Sequence, residues 1–80
     1  MKENNGKQTE NEEILKLRDE YITLGQLLKA EGLVRDGAEA KEKIKAGEAF
    51  VNGEKEERRG RKLYDGDRIS FHETVVKVVR

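Results

Sequence analysis

The chain has no cysteine, no tryptophan and only four aromatic residues, and its apolar runs are short. Without cysteine there is no disulfide, no thiolate metal ligand and no thiol nucleophile, and the composition suits a reducing compartment. No run approaches the roughly 20 apolar residues of a membrane helix. The first ten residues also lack the apolar segment of a signal peptide. We therefore expect a cytoplasmic protein with no membrane partner.

Charged residues are abundant but balanced. Of the 80 residues, 42% are charged and 34% hydrophobic, and 17 basic side chains are matched by 17 acidic ones. A chain of this length forms one small domain with a compact core and a densely charged surface. Because the net charge is zero, the distribution of charge decides whether a polyanion binds. The strongest local excess is at residues 55–62, where five of eight residues are basic.

The polar residues 1–13 show no hydrophobic periodicity and are predicted to be a disordered tail. The remaining residues, 14–80, are then a single domain. Its first segment, 14–22, mixes apolar and charged residues in a pattern that favours a strand over a short helical lead-in. In that strand either Ile14 or Leu15 faces inward, together with Leu17.

Two short helices follow, each with a start and a stop signal. A Thr-x-x-Gln capping box begins at Thr23, and Gly32 ends the first helix. A second box, Asp-x-x-Glu, begins at Asp36 and opens a helix that runs to Ala46, before Gly47. The residues expected to face inward are Leu24, Leu27 and Leu28 on the first helix and Gly37, Ala40 and Ile44 on the second.

After the second helix the hydrophobic period changes to two, which is typical of strands. Short strands are predicted at 49–51, 62–64, 68–72 and 74–79. Asn52-Gly53 and Asp65-Gly66-Asp67 form tight turns between them. The order β-α-α-β-β-β-β indicates an α+β fold in which two helices precede most of a small sheet.

No catalytic or metal-binding set can be assembled from this sequence. The single histidine, His72, is predicted on the solvent face of a strand, where no partner requires it. Residues 65–67 resemble the start of a calcium loop, but the later ligands are missing. The glycines are spaced as caps and turns and form no phosphate-binding loop. We therefore expect no catalytic residue, no metal site and no cofactor.

The loop 58–62 is more basic than a connection between strands needs to be, because four of its five residues are cations. Arginine suits bidentate contacts with phosphate, and Gly60 permits a close backbone approach. The alternative is a sheet edge that charge protects from aggregation. A second candidate is the start of the second helix, where backbone N–H groups lie next to Arg35, although the Asp36 charge opposes an anion there.

Two further features have alternative explanations. Lys41 and Lys45 share a face of the second helix, but nearby glutamates are able to neutralise lysines there. Tyr21 and Tyr64 are able to stack on unpaired bases. With only four aromatic residues in the chain, packing is the competing role for both rings.

In their order and spacing these residues resemble the RNA-binding domain named after ribosomal protein S4. The resemblance covers about residues 20–72. Residues 21–29 and 58–63 are also similar to a small stand-alone bacterial branch, in which the domain is nearly the whole protein. The matching positions are Leu24, Leu27, Leu28, Gly32, Gly37, Ala40, Lys41, Ile44, Gly47, Ala49, Val51, Asn52, Gly53, Gly66, Asp67 and Ile69.

The resemblance implies two short packed helices on a small, bent, mainly antiparallel sheet, the alpha-L motif. It also implies a non-enzymatic protein that binds structured RNA of the rRNA or tRNA class, alone or on a ribosomal particle. Two positions depart from the pattern: Asp36 stands where serine is common, and Ala49 replaces the first valine. The implied RNA contacts are Arg35, Gly37, Lys41 and Lys45 around the second helix and Arg58, Arg59, Arg61 and Lys62 in the loop.

Two points stay open at the level of sequence. We expect a monomer. The alternative function is a protein-interaction adaptor that retains the fold and presents its charged surface to an acidic protein.

Overall fold

The structure, a computed structural model, describes residues 11–80. Within that range it contains two helices, α1 (Leu24–Ala30) and α2 (Gly37–Lys45), neither of which is long and apolar enough to cross a membrane. The strands are β1 (Asn11–Lys16), β2 (Ile22–Thr23), β3 (Ala49–Val51), β4 (Glu54–Lys55), β5 (Lys62–Leu63), β6 (Arg68–Phe71) and β7 (Thr74–Val79). The two-residue strands β2 and β4 are additions to the predicted order.

The strands divide into a main sheet and a small ribbon. Five strands form the main sheet in the order β1-β7-β6-β3-β4, and β2 pairs with β5 in the ribbon. Neighbouring strands of the main sheet are antiparallel except β1 and β7, which run parallel. The predicted α+β fold, with two packed helices and a mainly antiparallel sheet, is confirmed.

Strand β1 begins earlier than the predicted end of the tail. Residues 11–13 pair in parallel register with 74–76 of β7, so the boundary predicted after residue 13 is wrong. The polarity of these residues misleads because a parallel ladder is made by backbone groups, and an edge strand tolerates polar side chains. The rest of the predicted tail, residues 1–10, lies outside the described residues.

Side-chain caps fix both helix starts. Thr23 and Gln26 make the predicted reciprocal box, with N–O distances of 3.3 and 3.0 Å. At α2 the Asp36 carboxylate accepts from the Glu39 N–H at 2.9 Å. The Glu39 carboxylate passes over Asp36 and accepts instead from the Arg35 N–H at 2.6 Å. The second box therefore spans one residue more than the sequence predicts.

The helices cover one face of the main sheet. The predicted inward leucines of α1 are fully buried, as are Ala40 and Ile44 of α2. In β1 the inward residue is Leu15, whereas Ile14 points away from the core with 60% of its surface exposed. The other face of the sheet carries Lys16 and Lys77, which alternate with core residues and are exposed. The molecule thus has a helical face and an open sheet face.

Two turns show how local sequence acts. Asn52 and Gly53 adopt φ of 52° and 87°, the left-handed pair of the predicted hairpin turn between β3 and β4. His72 does not lie on a strand face as predicted, because it adopts φ of 56° in the turn from β6 to β7. Its ring stacks on Phe71, with 4.2 Å between centroids, and its Nε2 pairs with the Glu48 carboxylate.

Candidate nucleic-acid interface

The connection from β4 to β5, residues 56–61, lies across the start of α1. The Leu24 N–H donates to the Arg61 carbonyl at 2.9 Å, and the Gly25 N–H donates to the Arg59 carbonyl at 3.0 Å. N–H groups in the first turn of a helix have no partner within the helix. The loop carbonyls supply those partners here, so loop 56–61 is fixed to α1 by its backbone.

Gly25 is the position that allows this close contact. A Cβ atom at residue 25 would lie 2.6 Å from the Arg59 Cγ atom, closer than real Cβ atoms approach their neighbours. The Arg59 side chain therefore lies over the glycine and runs along α1. This contact places a loop cation beside the helix pair.

A buried carboxylate, Glu56, organises the arginines of the loop. Only 9% of its side chain is exposed. It accepts from Nε of Arg58 at 2.8 Å, from Nη2 of Arg58 at 3.1 Å and from Nη1 of Arg61 at 2.7 Å. It also accepts from the Arg58 backbone N–H at 3.1 Å. Glu56 thus joins two predicted contact residues to each other and to the fold.

The environment of Glu56 favours its charged form. The Arg58 side-chain hydrogen bond, with a further one from Arg61, lowers the pKa of Glu56 to about 2, against an opposing effect of burial. The carboxylate is therefore ionised at neutral pH and offsets part of the positive charge of the loop. Sequence reasoning counted the cations of this loop and missed the buried anion between them.

The α2 cations meet the loop at a groove between the two helices. One depression, about 180 Å³ in volume, is lined by Lys29 of α1, Gly37 of α2 and Arg59 of the loop, among others. An adjoining one of about 250 Å³ is lined by Lys41, Lys45, Glu57, Arg59 and Gly60. We call these two depressions the helix groove. The predicted residues Gly37, Lys41, Lys45 and Arg59 come together there, and Lys29 joins them although it was not predicted.

Two glycines of the helix groove have no role in the fold that their geometry reveals. Gly37 and Gly60 both have ordinary φ, and a Cβ atom at either position would meet nothing within 4 Å. Any residue would fit both backbones. What the glycines provide is a low wall, which leaves room for a ligand to approach the backbone.

The remaining loop cations face a second depression, which we call the tyrosine cleft. Its volume is about 520 Å³, and its lining consists of Arg58, Gly60, Arg61, Lys62 and Tyr64. The Lys62 Nζ atom lies 4.8 Å from the centroid of the Tyr21 ring, which is a cation–π contact. The Tyr21 and Tyr64 rings are 5.9 Å apart. The predicted loop residues are thus divided between two depressions that share Gly60.

Arg35 lines neither depression. Its Nε atom is 3.9 Å from the Asp36 carboxylate, which also caps α2. The carboxylate therefore occupies the helix start that was predicted to attract an anion, so Arg35 is the predicted contact that the structure sets apart. Among residues 11–80, no group of three or more acidic or histidine side chains is placed to hold a metal ion.

Comparison with known proteins gives two matches. A family model described as "S4 domain" matches residues 15–79. A protein of Bacillus subtilis (strain 168), named "Probable ribosome maturation protein RlbA", is 46% identical over 52 residues. That alignment covers 65% of this chain and 73% of the Bacillus protein.

Proposed function

The chain belongs to the S4 domain family, and we propose that it is a non-enzymatic RNA-binding protein that recognises structured RNA through phosphate contacts. The observation that carries this proposal is the helix groove. Cations from three separate elements surround it: Lys29 from α1, Lys41 and Lys45 from α2, and Arg59 from the loop.

The helix groove suits a sugar–phosphate backbone for a physical reason. Its cations are attached to a rigid helix pair and to a loop whose backbone is bonded to α1, so little ordering is needed on binding. Glycines at 37 and 60 let a ligand backbone come close. Such contacts hold RNA by its shape and charge, whereas base identity is hidden in the deep groove of A-form helices.

Ribosomal RNA is the first ligand to test, because the Bacillus relative carries a ribosome maturation name. We propose a ribosome-related role for this chain on that basis, with tRNA as the second choice. Both are structured RNAs with exposed phosphates. An adaptor for an acidic protein is the function that remains if neither RNA binds.

The test is a salt titration of binding to a fluorescein-labelled rRNA stem-loop, followed by anisotropy. The logarithm of the association constant should fall linearly with the logarithm of salt concentration, with a slope of about −0.7 to −0.9 per phosphate contact. The double variant Lys41→Gln/Lys45→Gln should weaken binding and reduce the slope by about 2.

A matched control removes two charges from the open sheet face. Lys16→Gln/Lys77→Gln changes the net charge by the same amount on the opposite side of the molecule. It should leave the slope close to that of the wild type. Equal effects of the two double variants would reject the helix groove as the interface, and no affinity of the wild type for rRNA or tRNA at low salt would reject RNA binding.

A further inference from the structure

The ribbon of β2 and β5 presents two aromatic rings to solvent. Ile22 pairs with Leu63 in antiparallel register, so the next pair outward along the ribbon is Tyr21 and Tyr64. The first pair faces the core, whereas Tyr21 and Tyr64 keep 38% and 44% of their surfaces exposed. Phosphate binding makes no use of these rings.

Tyr64 is held in a defined position. Its backbone N–H donates to the Asp67 carboxylate at 2.8 Å, and its carbonyl accepts from the Asp67 N–H at 3.0 Å. Its ring is tilted by 51° against the Tyr21 ring. Lys62 covers the Tyr21 ring, so of the two tyrosines it is Tyr64 that lines the open cleft. A ring that is already placed costs little entropy when a ligand stacks on it.

The simplest alternative is that the two tyrosines only stabilise the short ribbon. Cross-strand aromatic pairs do so, by about 0.2–1 kcal/mol. That role does not account for the cleft beside Tyr64, whose volume of about 520 Å³ lies within the range of small-molecule sites. Nor does it account for the charges: the ionised residues that line the cleft, Arg58, Arg61 and Lys62, are all cations.

A flat exposed ring beside cations matches the chemistry of a nucleotide, which has an aromatic base and an anionic phosphate. Glu56 binds Arg61 through Nη1, which leaves further N–H donors of that guanidinium for a phosphate. We propose that Tyr64 stacks on an unpaired base of the bound RNA while Arg61 contacts the adjoining phosphate. This inference rests on the proposed function and adds the ligand class of the tyrosine cleft: a nucleotide outside the paired stem.

The first test uses two RNA stem-loops that differ by one unpaired 2-aminopurine beside the stem. The wild type should bind the bulged RNA about tenfold more tightly than the fully paired one, since stacking on an aromatic ring is worth about 1–3 kcal/mol per base. The fluorescence of 2-aminopurine should be quenched on binding. Tyr64→Leu should abolish both the preference and the quenching, whereas Tyr64→Phe, which keeps the ring, should retain both.

A second measurement avoids any change at residue 64. The chain contains two tyrosines and no tryptophan, so the variant Tyr21→Phe has Tyr64 as its only tyrosine. Its intrinsic fluorescence should be quenched by the bulged RNA and much less by the paired RNA. This readout stays informative even if Tyr64→Leu fails to fold.

The outcomes separate this inference from the function on which it rests. Equal binding of the two RNAs, with the loss of affinity in Lys41→Gln/Lys45→Gln preserved, would overturn stacking and leave RNA binding intact. Retention of the preference by a folded Tyr64→Leu would also overturn it. No binding of either RNA by the wild type would remove the proposed function itself.

Discussion

The helix pair and loop 56–61 both carry cations, but they are held together by different forces. The helices pack through fully buried apolar residues such as Leu28 and Ile44, and their lysines project from a scaffold that does not need them. In the loop, Arg58 and Arg61 are part of the scaffold, since they satisfy the buried Glu56.

This difference decides how the RNA contacts are tested. Among the described residues, neither Lys41 nor Lys45 is within ion-pair distance of a carboxylate, so replacing them removes charge and little else. Replacing Arg58 leaves Glu56 buried with fewer partners, and a loss of binding then reports partly on folding. The expectation that alanine at the loop arginines leaves folding intact therefore does not hold for Arg58 and Arg61.

The largest expected effect tests the apolar side of the comparison. Ile44→Ala should lower the free energy of unfolding by about 2–4 kcal/mol, because it removes buried atoms and leaves a cavity. Ile14→Ala is the matched control, since Ile14 is 60% exposed. Urea unfolding measures both, at low and at high salt. A strong salt dependence of the Ile44→Ala effect would contradict the view that apolar packing holds the helices.

The next effect tests the ionic side. Glu56→Gln should lower the free energy of unfolding by about 2 kcal/mol, because it weakens hydrogen bonds to two charged arginines in a buried position. High salt should reduce the difference from the wild type. Glu54→Gln, an exposed glutamate two residues earlier, should stay within about 0.5 kcal/mol of the wild type. Equal effects of the two variants would show that Glu56 does not organise the loop.

A smaller effect follows from the pKa of Glu56. The folded-state pKa of about 2 lies below the usual value near 4.5, so the stabilisation is complete above about pH 4.5 and is lost as the pH falls toward 2. The exposure of Arg58 limits the loss to about 1–2 kcal/mol. In urea unfolding at a series of pH values, the stability gap between wild type and Glu56→Gln should therefore close from pH 5 to pH 2. A gap that is constant with pH would contradict the ionised pairing.

The two regions also differ in how much the sequence reveals. The helix pair was predictable because its signals are local: the cap at Thr23, the inward leucines and the glycine after each helix all act within a few residues. The Asn52-Gly53 turn follows the same logic. These features depend on backbone preferences that neighbouring residues satisfy wherever the chain lies in the fold.

Loop 56–61 was only partly predictable because its structure depends on distant partners. Its cations were evident from composition, but the burial of Glu56 follows from the loop lying across α1, more than 30 residues earlier in the chain. The ribbon strands β2 and β5 have two residues each, too few for a hydrophobic period to show. Lys29 was missed for a related reason, since its proximity to Arg59 arises only after the loop has folded.

The smallest effect separates folding from binding at a single atom of the helix groove. Gly37→Ala should raise the free energy of unfolding by up to about 0.5 kcal/mol, because alanine favours the helical backbone and its Cβ meets nothing within 4 Å. The same Cβ narrows the helix groove, so affinity for the rRNA stem-loop should fall severalfold. Gly32→Ala is the matched control: at φ of 71° it should destabilise the fold by about 1 kcal/mol without changing the affinity of the folded protein. If Gly37→Ala binds the rRNA stem-loop as tightly as the wild type, the backbone of α2 is not where the RNA approaches, and the loop becomes the main interface.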